Sequence, residues 1–337
     1  MYETYYGFTG SPFQLTPDTR FFYGSRGHSR AIAHLTFGLA QGEGFIIVTG
    51  EVGAGKTLLI ERLISQLDRD TYSVAHINTT QVSGEDLFHL TLAGFGVEDP
   101  EASKATLLLC FEEMLREHSM AGRRCLLIVD EVQNLSLAAL EELRMLSNII
   151  GDGRASLQTI LMGQPQFRRM LTSPNLDQLR QRVLASYHLG PLSREETRAY
   201  IEHRLSTVGW HGDNPRWEDA AFAAVHDHSG GIPRRVNRLC GRVLLYSALE
   251  QHGTISGPVV GEAADELAED LEGVSPEQLA RIPAPHHHQM ETHPGGSRES
   301  IDLLSRIQAL EEQMARRERF FQRLTNMFDS RGGADRP

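Results

Sequence analysis

The octapeptide GEVGAGKT, from Gly50 to Thr57, restricts this chain to a small set of folds. It fits the pattern G-x-x-x-x-G-K-[S/T] and lies between an apolar run, FIIVT, and an amphipathic segment, LLIERLI. These flanking segments predict a buried strand and a helix, which is the setting that the pattern requires. We therefore expect a phosphate-binding loop where a sheet strand passes into a helix.

The chemistry of this loop predicts a nucleotide triphosphate with a divalent cation as its ligand. Glycines let successive backbone N–H groups turn inward toward a phosphate, and the helix N-terminus adds a favourable dipole. Lys56 can reach the β- and γ-phosphates, and the Thr57 hydroxyl can ligate Mg²⁺. We expect ATP and Mg²⁺ as the bound groups. The predicted nucleotide-binding residues of the loop are Gly50, Glu51, Val52, Gly53, Ala54, Gly55, Lys56, Thr57 and Leu58.

Two carboxylates follow a second apolar run, CLLIVDE, which predicts another buried strand. Asp130 at its end can hold the Mg²⁺ shell, and Glu131 can polarise an attacking water as a general base. The alternative is a solvated strand end, although burying two unpaired carboxylates in a core would be costly. The pair predicts hydrolysis, because a binding switch would not require Glu131.

A polar residue, Gln164, ends a further predicted strand within the segment LMGQP. At that place it can lie beside the γ-phosphate and orient water. The alternative is a turn formed by Gly163 and Pro165, with Gln164 merely exposed.

Three arginines are the preferred candidates to contact the phosphoryl group that is transferred. Arg180 or Arg182, in LRQRV, can be donated across a subunit interface, with Arg182 preferred; the alternative is a solvated helix face. Pro233 suits the first turn of a helix, so Arg234 or Arg235, with Arg234 preferred, would project from the helix start toward the γ-phosphate. A plain surface cation is its alternative.

The order of predicted elements indicates an α/β fold. Four strands alternate with helices up to about residue 190, which predicts a mostly parallel sheet covered on both faces in a three-layer arrangement. Helices then follow one another, as in a small second domain. We expect a nucleotide-binding core over residues 1–190, a helical lid over 191–272, a flexible linker over 273–298 and an amphipathic or coiled-coil helix with a tail over 299–337.

The C-terminal segment carries a heptad pattern of apolar residues, interrupted by Arg317. A coiled coil or a helix that binds a protein partner is the preferred interpretation, and a helix docked on its own protein is the alternative. The preceding segment is rich in Pro, Gly and His, and its three adjacent histidines, 286–288, fit a solvated loop better than a metal site.

The N-terminal segment YYGFTGSPFQLTPDTRFFYGSRGH, residues 5–28 and here termed the strap, is unusually aromatic for a chain end. Because the phosphate loop does not hold a base, we expect the strap to fold over adenine. Its candidate contacts are Phe13, Phe22, Tyr23 and His28. The alternative is a hydrophobic segment that closes the edge of the sheet.

Taken together, the motifs resemble the AAA+ ATPases over residues 1 to about 270. They are GEVGAGKT, LLIVDEVQNL, MGQP, LRQRV and GGIPRRVNRLC, in that order. The strap and DEVQNL are similar to the secretion ATPases of the general-secretion-pathway A (ExeA) type, and most of all to those associated with exosortase and exopolysaccharide gene clusters. The resemblance implies Gln164 as sensor 1, Arg182 or Arg180 as the arginine finger, Arg234 as sensor 2, and a homo-oligomeric ring or arc.

Composition limits the partners and the compartment. A net charge of −11 disfavours a protein that grips nucleic acid by bulk electrostatics. No apolar run predicts a membrane span or a signal peptide, and three separated cysteines give no disulfide framework, so we expect a cytoplasmic protein. An inner-membrane export component could be the partner of the C-terminal helix.

Three functions remain open from the sequence. The first is an ATPase that energises or regulates secretion or exopolysaccharide export through oligomerisation and lid motion. The second is a DNA-associated ATPase of the transposition or replication type, consistent with arginine-rich segments such as RRVNR. The third is a slow nucleotide switch or scaffold.

Overall fold

The computed structural model describes residues 2–272 except residues 17, 79–82, 98–101, 152, 153 and 156. The linker and C-terminal helix predicted from the sequence lie outside these residues. The contacts described below lie within one compact unit that ends at Leu267. Five longer strands are β1 Phe45–Gly50, β2 Tyr72–Asn78, β3 Arg124–Asp130, β4 Leu157–Gly163 and β5 Val183–Leu189.

Twelve α-helices accompany these strands in the described part of the chain. They are α1 Tyr2–Tyr6, α2 Arg26–Gln41, α3 Lys56–Gln66, α4 Gly84–Gly94, α5 Lys104–Met120, α6 Leu137–Leu146, α7 Pro165–Met170, α8 Asp177–Arg180, α9 Arg194–Thr207, α10 Asp219–Ser229, α11 Pro233–Leu249 and α12 Gly257–Glu272. No helix among the described residues is long and apolar enough to cross a membrane.

The five strands form one parallel sheet in the order β2-β3-β4-β1-β5. The central strand β1 is buried along its whole length, as expected for a strand covered on both faces. Its alternate side chains serve opposite layers. Ile46 and Val48 pack with apolar residues of α2 and α3, whereas Phe45 and Ile47 belong to the core formed with α4, α5 and α6. The predicted three-layer α/β fold is confirmed.

Strand β5 was not among the four strands predicted from the sequence. It pairs with β1 at the edge of the sheet, and its exposed and partly buried residues alternate along the strand. The alternation leaves no continuous apolar run of the kind that identifies a buried parallel strand. The preceding segment, LDQLRQR, is also largely polar. The sequence therefore contains no signal for a strand just before the point, near residue 190, where the alternation of strands and helices ends.

Helices α9 to α12 follow β5 and are here termed the helical region. Helix α9 begins with a capping box, in which Ser193 and Glu196 satisfy each other's backbone N–H groups. The second core of the molecule lies here, among α9, α10 and α11.

The strap contributes to this second core. Four buried aromatic residues of the N-terminal segment lie in it, together with apolar side chains of the helical region. They are Tyr6, Phe8, Phe13 and Phe21. These side chains join the strap to the helical region.

Candidate functional site

The phosphate loop joins the end of β1 to the start of α3. Gly53 and Gly55 have φ values of 81° and 96°, a backbone conformation that side-chain-bearing residues rarely adopt. Space is limiting as well. A Cβ on Gly55 would lie 2.8 Å from Nε2 of His28, and a side chain at Gly53 would collide with Arg234. The loop therefore has the curled backbone that its glycines predict, held between α2 and α11.

Lys56 is the first residue of α3, and its ammonium group is buried in the loop. Its Nζ donates to the backbone oxygens of Gly50, at 2.9 Å, and Glu51, at 3.1 Å. Burial lowers the pKa of Lys56, and the nearby carboxylates of Glu131, Asp130 and Glu51 oppose that shift. The Lys56 ammonium group thus contacts backbone carbonyls of the loop, next to the position where the loop N–H groups can bind a phosphate.

Thr57 and Asp130 meet across the loop and the end of β3. The Thr57 hydroxyl donates to Oδ2 of Asp130 at 3.1 Å, and Asp130 is buried. A hydroxyl and a carboxylate are hard oxygen ligands of the type that Mg²⁺ accepts, and this ion commonly takes one or two protein ligands beside substrate phosphates and water. The two residues therefore fit the predicted Mg²⁺ site.

Glu131 lies at the N-terminal side of the short 3₁₀ turn Val132–Asn134 and has a left-handed backbone, with φ 54° and ψ 38°. Non-glycine residues in this region are uncommon and concentrate at functional sites. Its Oε2 accepts hydrogen bonds from Nε2 of Gln133, at 2.5 Å, and from Nε2 of Gln164, at 3.2 Å. Oε1 of Gln133 in turn accepts the backbone N–H of Gln164 at 2.9 Å. Two amides thus orient one carboxylate.

A cleft of about 360 Å³ lies over the phosphate loop. The strap, the loop and the helical region each contribute to its walls. The residues that line it are Gln14, Leu15, Thr16, Asp18, Phe21, Phe22, Tyr23, His28, Val52, Gly53, Gly55, Lys56, Thr57, Leu58, Glu131, Leu192, Tyr200, Arg204, Pro233, Arg234 and Asn237.

The strap candidates differ in their relation to this cleft. Phe22, Tyr23 and His28 line it, whereas Phe13 lies in the core of the helical region and does not. Oγ of Ser25 lies 2.7 Å from Nδ1 of His28, and the Phe22 ring meets the imidazole edge-on at 5.7 Å between centroids. Burial lowers the pKa of His28, with the charge of Glu196 acting against it. A neutral imidazole therefore forms part of the cleft wall.

The three candidate arginines occupy two kinds of position. Arg234 lines the cleft at the start of α11, and its backbone N–H donates to the backbone oxygen of Gly53 at 3.2 Å. Arg180 forms an ion pair with Asp177, and Arg182 Nη1 lies 3.3 Å from the backbone oxygen of Ser147. Neither of these two lines the cleft of its own chain.

Sequence reasoning did not single out Gln133, Tyr200, Arg204 or Asn237. Gln133 stands two residues after Glu131 in DEVQNL, so its spacing was available as a signal. The other three are brought to the cleft by α9 and α11, and Arg204 reaches the strap at Pro12 through a contact far apart in sequence. No local pattern indicates such a contact.

Comparisons with known proteins agree with this geometry. Residues 39–171 match the family model described as an AAA domain. Over 264 residues the chain is 38% identical to general secretion pathway protein A of Aeromonas hydrophila. The aligned region covers 77% of this chain and 47% of that protein. The chain thus spans about half the length of the curated relative that it matches.

Two solved structures are similar in fold. The ORC2 protein of Aeropyrum pernix and Cdc6p of Pyrobaculum aerophilum each superpose with a TM-score of 0.58 at 17% identity, covering 80% of this chain and 75% of theirs. At that identity the likeness concerns the fold alone. The parallel sheet, the loop geometry and the family match agree, and the chain therefore has the three-layer α/β P-loop fold of AAA domains.

Proposed function

We propose that the protein binds ATP with Mg²⁺ and hydrolyses it. The observation that carries this proposal is the position of Glu131. Its carboxylate is oriented by Gln133 and Gln164 at the wall of a cleft that also holds Lys56 and Thr57. Nucleotide binding would need only the loop, whereas an oriented carboxylate beside it supports turnover.

The residues of the phosphate loop and of the two strand ends beside it have proposed tasks. The loop N–H groups and Lys56 would bind the β- and γ-phosphates, while Thr57 and Asp130 would hold Mg²⁺, which supplies charge neutralisation when bound. Glu131 would accept a proton from the attacking water as general base. Gln164, through its hydrogen bond to Glu131, would keep this carboxylate and the water in line.

The helical region supplies a link between the γ-phosphate and the lid. Arg234 lines the cleft from the first turn of α11, and its backbone N–H donates a hydrogen bond to the backbone oxygen of Gly53. We propose that its guanidinium binds the γ-phosphate as sensor 2, so that hydrolysis alters the contact between α11 and the loop. Loss of that contact would move the lid.

Arg182, or Arg180, would act on the nucleotide of a neighbouring subunit. The support is that neither arginine lines the cleft of its own chain. An arginine donated in trans contributes roughly 10³-fold or more to turnover where such a residue is known. This role implies a homo-oligomer, a ring or an arc, with the nucleotide between subunits.

The biological setting is proposed from the relative. Identity of 38% to general secretion pathway protein A supports a role in energising or regulating secretion. Exopolysaccharide export linked to an exosortase, a cytoplasmic location and an inner-membrane partner bound through residues 299–337 remain predictions from the sequence. The DNA-associated and slow-switch alternatives also remain predictions, and no contact described above favours either.

The first experiment measures ATP binding by calorimetry on the full chain with Mg²⁺. We expect the wild-type chain to bind ATP and Lys56→Ala to lose measurable binding, because the loop then lacks its phosphate-binding cation. Lys104→Ala is the matched control, since that lysine is exposed on α5 and pairs with Glu142. Equal ATP binding by Lys56→Ala and wild type would refute nucleotide binding at this loop.

A further inference from the structure

A buried arginine lies between the strap and the cleft. Arg204, on α9, is only 6% exposed. Its Nε donates to the backbone oxygen of Pro12 at 2.6 Å, and Nη2 donates to that of Gln14 at 3.3 Å. Its guanidinium also stacks over the ring of Phe21, 4.6 Å from the centroid. Among the described residues no carboxylate pairs with Arg204, so its charge is balanced by carbonyls, a hydroxyl and ring faces.

The arginine begins a chain of hydrogen bonds with a fixed direction. Nη1 of Arg204 donates to the Tyr200 hydroxyl at 2.7 Å, and that hydroxyl lies 2.8 Å from Oδ1 of Asn237. Arginine has donors but no acceptor, so the tyrosine oxygen must accept from Arg204 and direct its own proton to Asn237. Burial raises the pKa of Tyr200, which keeps that proton in place.

This direction determines what Asn237 can offer to a ligand. Its side-chain oxygen accepts the tyrosine proton, which identifies the other end of the amide as the NH₂ group. Asn237 stands three residues after Arg234 on α11 and lines the same cleft as the strap residues. The amide therefore presents a donor to the cleft, at the side where the strap and the helical region meet.

We propose that Asn237 donates its amide N–H to an acceptor nitrogen of the adenine base, and that Arg204, through Tyr200, is the positioning residue that orients it. The inference rests on the proposed binding of ATP with its phosphates at the loop. Phosphates at Gly53–Thr57 leave the base to the wall formed by the strap and α11. Adenine ring nitrogens carry lone pairs, which are complementary to the amide donor.

The experiment compares two ligands on the full chain, each with Mg²⁺. ATP carries the base, and inorganic tripolyphosphate carries the phosphates alone. Asn237→Leu keeps the approximate size of the side chain and adds no charge but removes the amide donor, and Tyr200→Phe keeps the ring but removes the link to Arg204. Arg198→Lys is the control on the same helix, since Arg198 stacks on Phe222 and pairs with Glu202 and Asp219 without contacting the strap.

We expect Asn237→Leu to weaken ATP binding about tenfold and Tyr200→Phe about fivefold, the size of one lost hydrogen bond. Tripolyphosphate binding should stay at the wild-type value in both variants, and Arg198→Lys should bind both ligands as wild type does. Wild-type ATP affinity in both variants would overturn the inference. So would an equal loss of ATP and tripolyphosphate, which would identify a structural role.

Failure of the inference is distinguishable from failure of the proposed function. If the wild-type chain binds neither ATP nor tripolyphosphate, nucleotide binding at the loop is refuted and the base contact falls with it. If wild type binds both and Lys56→Ala binds neither, the loop is established, and the two cleft variants decide on Asn237 alone.

Discussion

The side-chain amide of Gln164 donates a hydrogen bond to the carboxylate of Glu131, with 3.2 Å between Nε2 and Oε2. The two residues come from the ends of neighbouring strands, since β3 pairs with β4 in the sheet. Polar residues at the carboxyl ends of parallel strands meet at one edge, which is where α/β folds place their ligands. The contact joins the predicted base to the predicted sensor.

Gln133 completes this arrangement and gives a first prediction. Its amide bridges Oε2 of Glu131 and the backbone N–H of Gln164. We expect Gln133→Ala to lower kcat about tenfold, equivalent to one lost hydrogen bond, with little change in the KM for ATP. Steady-state ATPase assays measure both constants. A variant with wild-type kcat would show that Gln133 does not orient the carboxylate.

A trans role for Arg182 predicts complementation between inactive variants. Arg182→Ala and Lys56→Ala should each turn over ATP roughly 10³-fold more slowly than wild type, because one lacks the finger and the other the phosphate-binding cation. Mixing them should restore part of the activity, since an interface can then combine an intact loop with an intact arginine.

The control for that mixture is Arg180→Ala combined with Lys56→Ala, which tests the other candidate in the same way. Coassembly of the variants is checked by sedimentation. A coassembled Arg182→Ala mixture without recovered turnover would point to a role of Arg182 within its own chain, as its contact with Ser147 would allow.

The strap should stabilise the helical region. Phe21 is buried in the second core and stacks on Arg204, so Phe21→Ala should lower the free energy of unfolding by about 3–5 kcal/mol. Phe37→Ala is the matched control, because that ring is 59% exposed on α2, and it should change stability by less than about 1 kcal/mol. Urea denaturation measures both, and equal effects would contradict the assignment of Phe21 to the core.

His28 predicts a pH dependence of stability. Burial holds its pKa in the folded protein below the unfolded value of about 6.5. Between the two values the unfolded chain binds more protons, so the free energy of unfolding is fully retained above about pH 6.5 and falls as the pH drops through the folded pKa. Urea denaturation at several pH values should show this decline in wild type and a weaker one in His28→Gln.

His34→Gln serves as the control for that series, because His34 is exposed on the same helix. It should follow the wild-type decline, since His28 is still present. A decline unchanged in His28→Gln would assign the pH dependence to other groups.

Local patterns predicted the phosphate loop, the acid pair and four strands, because each depends on residues close together in the sequence. The destination of the strap could not be predicted in this way. Phe21 belongs to the helical core and also lines the cleft, whereas Phe22, the next residue, contacts His28 and lines the cleft without belonging to that core. Phe21 also stacks with Arg204, which is distant in the sequence, so this contact depends on how the strap and the helical region pack.

Hydrolysis is the central claim, and Glu131→Gln tests it most directly. The variant keeps the size of the side chain but removes the base, so phosphate release from bound ATP should fall by about 10²-fold or more. ATP affinity, measured by calorimetry on the same preparation, should remain at the wild-type value. Release of phosphate at the wild-type rate by Glu131→Gln would contradict the account, because another group would then be activating the water.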